Sequence, residues 1–207
     1  ADHPKWAGQC SECGEWNSLV EVSIVPATTH RAQPKIGGYA GQAAAITTLS
    51  KVSVSHETRL QTGIGEFDRV LGGGLVTGSV VLIGGDPGIG KSTILLQTAI
   101  HMAENQSLAG SALYITGEES LSQVAMRASR LGLPNNNLKV LAETNVEMIC
   151  QALTQEQPAV AIIDSIQTLF TEAIQSAPGG VSQIRESAAI LTRYAKQTGT
   201  ALFLVGH

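Results

Sequence analysis

The sequence predicts an α/β protein built on a mainly parallel β-sheet flanked by helices. Along residues 59–207, five short apolar runs recur, each strand-length and bounded by polar or glycine-rich residues. The segments between them are amphipathic and helix-length, the alternation of a parallel sheet with helical crossovers. Composition agrees: of 207 residues, 43% are hydrophobic and only 14% charged, as expected where strands are buried on both faces.

Taken in order, the expected strands are 79–84 (SVVLIG), 112–116 (ALYIT), 138–141 (LKVL), 159–164 (AVAIID) and 201–206 (ALFLVG). Helices are expected at 91–104, 121–131, 145–157 and 181–198. In the third helix Thr144 and Glu147 have capping-box spacing. Val146, Ile149, Cys150 and Leu153 then form one apolar stripe, which makes Cys150 a buried core thiol rather than a reactive one. Residues 1–25 hold two of the three cysteines and both tryptophans. Residues 26–58 are rich in Ala, Gly, Ser and Thr without periodicity, and read as a linker with one short strand at 51–54 (KVSV). The core is residues 59–207. It stops directly after a strand, so a longer parent protein is expected.

Bulk properties exclude several classes. Aromatics are 4% of the chain, too few for stacking to dominate a hold on single-stranded nucleic acid. The net charge of −4 is wrong for a free-standing basic DNA-binding module, so any nucleic-acid contact is local. Three cysteines do not make a disulfide framework and fit a reducing compartment. No run approaches eighteen apolar residues, and the first residues lack the regions of a signal peptide. The expectation is a soluble, cytoplasmic chain with no membrane partner.

The chemistry concentrates after the first core strand. Gly85, Asp86, Pro87, Gly88, Ile89, Gly90, Lys91 and Ser92 fit G-x-x-x-x-G-K-[ST] in full. Glycines let the backbone wrap closely, so that successive amides form a nest for phosphate oxygens. The helix starting near Lys91 aims its N-terminal partial charge at the same oxygens. Lys91 brings a full charge to the β- and γ-phosphates, the Ser92 hydroxyl suits Mg²⁺, and Thr93 extends the lining toward the α-phosphate. The expected ligands are ATP and Mg²⁺.

Two later strands add carboxylates. Asp164 ends the run AVAIID, where the Mg²⁺ water shell needs an acid. A plain turn or cap residue is the alternative. Glu118 and Glu119 follow ALYIT, and hydrolysis needs a group that orients the attacking water. Glu118 is preferred because it comes first after the strand and should face the crevice at the strand ends. Glu119 is the alternative, the other carboxylate then serving the helix N-terminus.

Cys10 and Cys13 in QCSEC have the spacing of a zinc knuckle. One pair cannot complete a tetrahedral site, and neither His3 nor His30 is well spaced to help. A redox motif is possible but lacks a preceding strand. The reading is half a finger, metal-free as it stands.

Together TGIGEFDRVLGGGLVTGSVVLIGGDPGIGKST, LYITGEES, QVAMRASRLGLP and VAIIDSIQTL closely resemble the bacterial RadA (Sms) family of DNA-repair proteins, within the RecA-like ATPases. The likeness runs along the whole chain, as the N-terminal part of such a protein, and is densest from Thr62 onward. It implies a RecA-like P-loop ATPase core preceded by a partial zinc finger, DHPKWAGQCSECGEWNSLVEV. It also implies an ATP-driven motor of homologous recombination and DNA repair, acting on single-stranded and branched DNA as a homo-hexamer with RecA recombinase as partner. By position, Lys91, Ser92 and Asp164 keep their roles and Glu118 takes the catalytic glutamate's place. His207 falls where such proteins sense the γ-phosphate. Residues 170–185, containing SAPGGVSQIR, resemble the first DNA-facing loop, with a plain surface loop as the alternative. Zn²⁺ belongs to the intact finger, whose first C-x-x-C has no counterpart here, nor has the family's K-N-R-F-G motif. Two other readings stand beside this one: a RecA-like ATPase of KaiC or replicative-helicase type, and a nucleotide-gated interaction module.

Overall fold

The computed structural model describes Trp16 and residues 46–51, 58–105, 111–134 and 137–206. The chain divides into two units, Ala1–Ile36 and Gly37–His207, and apart from Trp16 the described residues lie in the second. Five parallel strands form its sheet: β3 (Val80–Gly84), β4 (Ala112–Thr116), β5 (Lys139–Ala142), β6 (Val160–Asp164) and β7 (Ala201–Gly206). A short preface precedes them, β1 (Arg59–Leu60), α1 (Gly65–Val70) and β2 (Leu75–Val76), with β1 and β2 paired antiparallel. The crossovers are α2 (Lys91–Glu104), α3 (Leu121–Arg130), α4 (Val146–Glu156) and α5 (Val181–Thr198).

All five expected strands and all four expected helices are present, with boundaries shifted by at most one residue. The order across the sheet is β3-β7-β6-β4-β5. Strands β4, β6 and β7 are buried at every position, which is why they read as unbroken apolar runs. Alternation along each strand sorts the core into two layers. On one face Ala112, Tyr114, Val160, Ile162, Ala201, Phe203 and Val205 meet Leu95, Leu96, Ala99, Ile100 and Met102 of α2 and Val124 and Ala128 of α3. On the other, Leu113, Ile115, Ala161, Ile163, Leu202 and Leu204 meet Val146, Ile149 and Leu153 of α4 and Leu191 and Ala195 of α5.

Local details depart from expectation in three places. Helix α4 is capped by Asn145, whose side chain accepts from the Met148 amide at 3.0 Å. Thr144 is not the cap, because Thr144 N–H itself donates to Glu143 Oε1 at 2.7 Å. Glu147 turns instead to the Thr171 hydroxyl, so the Thr144–Glu147 capping box does not form. Cys150 is half-buried at the edge of the second layer, not enclosed in it; burial pushes its thiol up to about 11. Of the expected strand 51–54, Lys51 instead closes a single 3-10 turn, Leu49–Lys51, and the rest lies outside the described residues.

The preface accounts for a motif without invoking chemistry. The Thr62 amide donates to buried Asp68 Oδ1 at 2.8 Å. Arg59 Nη1 donates to Leu71 O at 3.0 Å, and Gln61 Nε2 to Gly73 O at 2.7 Å. FDRVLGGG is thus a backbone clasp that closes β1 onto β2.

Candidate active site

The C-terminal ends of the parallel strands bring the 85–93 segment, Asp164 and Glu118 to one edge of the sheet. After β3 the chain turns through 85–90 and enters α2 with Gly90 at φ 99°. A residue with a Cβ is strained there, so the glycine ahead of the lysine is a backbone requirement. Lys91 is 9% exposed. Its Nζ donates to Gly85 O at 2.6 Å and to Asp86 O at 2.8 Å, folding the ammonium back into the loop's concavity. Ser92 and Thr93 follow in the first turn of α2, both half-buried.

Asp164 ends β6, 7% exposed. In the register, Gly84 pairs with Gly206, and Ile163 with Leu204. Strand β7 therefore separates the loop's strand from the aspartate's strand, a gap of two strand spacings, about 10 Å. Asp164 lies two residues beyond Ile162, on the same face of the sheet. That face is the one covered by α2, the helix that carries Lys91, Ser92 and Thr93.

Next along, β4 ends at Thr116, paired with Asp164. The Thr116 hydroxyl accepts from Glu119 N and donates to Glu119 O, each at 3.0 Å, tightening the turn 116–119. The Gly117 amide donates to Asp164 O at 2.8 Å. A Cβ on Gly117 would meet Thr168 Oγ1 at 2.0 Å. Thr168 in turn donates to Ser165 O at 2.8 Å, holding the 3-10 turn Ile166–Thr168 against the site. That close approach explains the glycine of GEES.

The two glutamates part company. Glu118 is exposed, and its Oε1 accepts from buried Ser165 Oγ at 2.5 Å. Glu119 forms an ion pair with Arg127 of α3, whose side chain is only 14% exposed. Burial depresses the Arg127 pKa, but the hydrogen bond to Glu119 and the charges nearby outweigh it, so the net shift is upward.

Sequence reasoning missed Tyr114, Thr168 and Arg127. Tyr114 is fully buried and its hydroxyl donates to Asp164 Oδ2. Burial, and then the Asp164 charge, push its pKa well above the usual phenol range. The signal was a phenol inside a strand buried on both faces, since a buried Tyr hydroxyl needs a partner. Arg127 carried none, because no pattern in the sequence links it to Glu119.

The donor set fits a divalent cation of the Mg²⁺ kind. Asp164 is a buried carboxylate with no ion pair at contact distance among the described residues, and only its Oδ2 is taken, by the Tyr114 hydroxyl. The Ser92 hydroxyl, in the first turn of the helix that covers the same face, is a second hard oxygen donor. Cys10, Cys13 and His207 lie outside the described residues. Among the described residues no cluster of three or more His, Cys, Asp or Glu could hold a metal.

Residues 170–180 form a loop braced from within. Gln183, buried in the first turn of α5, accepts from the Thr171 amide at 2.8 Å and donates to Ser176 O at 2.9 Å. The segment 181–185, which falls in both the expected helix 181–198 and the loop-like segment 170–185, is helix.

Comparison with known families decides what this edge belongs to. A family model described as "AAA domain" matches residues 48–207. The chain belongs to that AAA domain family. The RecA-like α/β core expected from the motifs is borne out, and the family is one of ATPases. A second model, "Rubredoxin metal binding domain", matches residues 1–21, the segment read as part of a zinc finger. The chain is 62% identical over 207 residues to "DNA repair protein RadA" of Pseudomonas aeruginosa, covering all of this chain and 44% of that protein. It is 51% identical over 209 residues to the protein of the same name in Escherichia coli, covering 45% of it. For Bacillus subtilis the identity is 46% over 212 residues, again covering 44% of the relative. The resemblance to the RadA family is therefore confirmed, and the chain spans less than half the length of these relatives. Among the described residues, no helix is long and apolar enough to cross a membrane.

Proposed function

We propose that the chain is part of a DNA-dependent ATPase of the RadA type, a motor that processes branched recombination intermediates. The observation that carries this reading is the placement of the 85–92 loop and Asp164 on one sheet face, two strands apart, with Glu118 on the adjoining strand end. Amides of the loop and Lys91 hold the β- and γ-phosphates, and Ser92 and Asp164 hold Mg²⁺. When bound, the metal supplies charge neutralisation between those phosphates.

Glu118 is the group that orients the attacking water. Its hydrogen bond to Ser165, beside Asp164, supports this choice. Glu119 is committed to Arg127 and serves structure. Residues 1–25 are half of a zinc finger, whose Cys10 and Cys13 hold Zn²⁺ only where a second cysteine pair completes the site; residues 26–58 are a linker, and 59–207 the ATPase core. The segment 170–185 faces DNA through its loop 170–180, where the turn at Pro178, Gly179 and Gly180 lets backbone amides approach phosphates; the expected contact is to the backbone rather than a reading of bases. The assembly is a hexameric ring with nucleotide at its interfaces, and His207 senses the γ-phosphate.

Phosphate release from the full-length protein, with and without single-stranded DNA, tests the reading. Stimulation by DNA is expected. A rate indifferent to DNA refutes the motor, and nucleotide binding without turnover favours a gated interaction module.

A further inference from the structure

The carboxylate that meets Mg²⁺ does not stand alone. Tyr114 pairs across the sheet with Ile162, and Asp164 is two residues further along the same strand. The two side chains therefore share one face as diagonal neighbours, within reach for an aromatic residue. The Tyr114 hydroxyl uses that reach to donate to Asp164 Oδ2. On the helix above, Arg127 holds its guanidinium close to both, tied on one side to Glu119. Its Nη1 is buried with no hydrogen-bond partner among the described residues, and its charge acts on both Tyr114 and Asp164.

We propose that Tyr114 is a positioning residue of the Mg²⁺ centre, fixing the Asp164 carboxylate in one orientation, with Arg127 steadying the tyrosine from α3. One carboxylate oxygen is committed to the phenol, so the other is pre-oriented toward the metal's water shell. A free aspartate at a strand end would have to give up rotamer freedom each time the metal arrived. A tyrosine present for packing alone would gain nothing from its hydroxyl, and Phe would serve as well. This role rests on the nucleotide-site reading above.

The test uses the 207-residue chain and a fluorescent ADP analogue carrying a methylanthraniloyl group, titrated in EDTA and at graded Mg²⁺ concentrations. Tyr114→Phe keeps the ring and removes only the donor. Its affinity in EDTA should match the wild type within about twofold, while the tightening caused by Mg²⁺ falls about fivefold and its midpoint moves to higher Mg²⁺. Asp164→Asn should abolish the tightening, and adding Tyr114→Phe to it should change nothing further. Arg127→Gln should weaken the Mg²⁺ response in the same sense but less; it serves as the test if Tyr114→Phe unfolds. A wild-type Mg²⁺ response in both variants overturns the inference and leaves the nucleotide site standing. Failure of the wild type to bind the analogue in either condition overturns both.

Discussion

Glu118 and Glu119 are adjacent acids with different partners, and the difference is testable. Glu118 is exposed and touches Ser165, the residue that follows Asp164 in the chain. Glu118→Gln keeps size and hydrogen-bonding capacity while removing the charge to which the proposed role assigns the orienting of water. Phosphate release should fall about a hundredfold or more with nucleotide affinity retained, as read by single-turnover assay and equilibrium binding. Glu119→Gln should do the opposite, lowering thermal stability by stripping the Arg127 guanidinium of its counter-charge while sparing turnover. Loss of turnover in Glu119→Gln alone would reverse the assignment. The sequence favours Glu118 only by its place directly after the strand; the fold adds the difference in partners by bringing Arg127 to Glu119. Gly117 is a second case of this kind. Its Cβ would strike Thr168, so Gly117→Ala should push the 166–168 turn away and cost about 1–3 kcal/mol, measurable by urea denaturation.

Elements were legible where periodicity runs long enough. Strands β4, β6 and β7, buried on both faces, announce themselves as apolar runs, and α4 as a stripe of Val146, Ile149 and Leu153. Strands β1 and β2, two residues each, are too short to show a period and depend on Arg59, Gln61 and Asp68 for their closure. The cap of α4 was misplaced by one residue because Thr144 and Asn145 are both competent, and Glu143 takes the Thr144 amide. Asn145→Ala should therefore destabilise the protein by about 1 kcal/mol, whereas Thr144→Ala should have a smaller effect in the same thermal melts. Equal losses from both would contradict the observed cap.

At the scale of the whole molecule, the strand order β3-β7-β6-β4-β5 links the separate motifs. A parallel sheet collects its catalytic groups at the C-terminal ends of its strands. The order decides which of those ends lie near the phosphate loop. No residue in the sequence states that β7, the last strand, inserts between the loop's strand and that of Asp164. The loop itself was readable from eight residues because its chemistry is local: Gly90 needs a positive φ, and Lys91 must reach the loop's concavity. The sequence signals that Tyr114 needs a partner but not which one, since Asp164 lies fifty residues on, and nothing in it marks Arg127 as the partner of Glu119. The most direct test of the nucleotide site is the affinity of the chain for ATP in Mg²⁺, compared between wild type and Lys91→Ala. Lys91 is the only full positive charge in the loop, so its loss should cost about 1.5–3 kcal/mol, roughly ten- to a hundredfold in Kd. An unchanged affinity in a folded Lys91→Ala variant would contradict the assignment of residues 85–92 as the phosphate site.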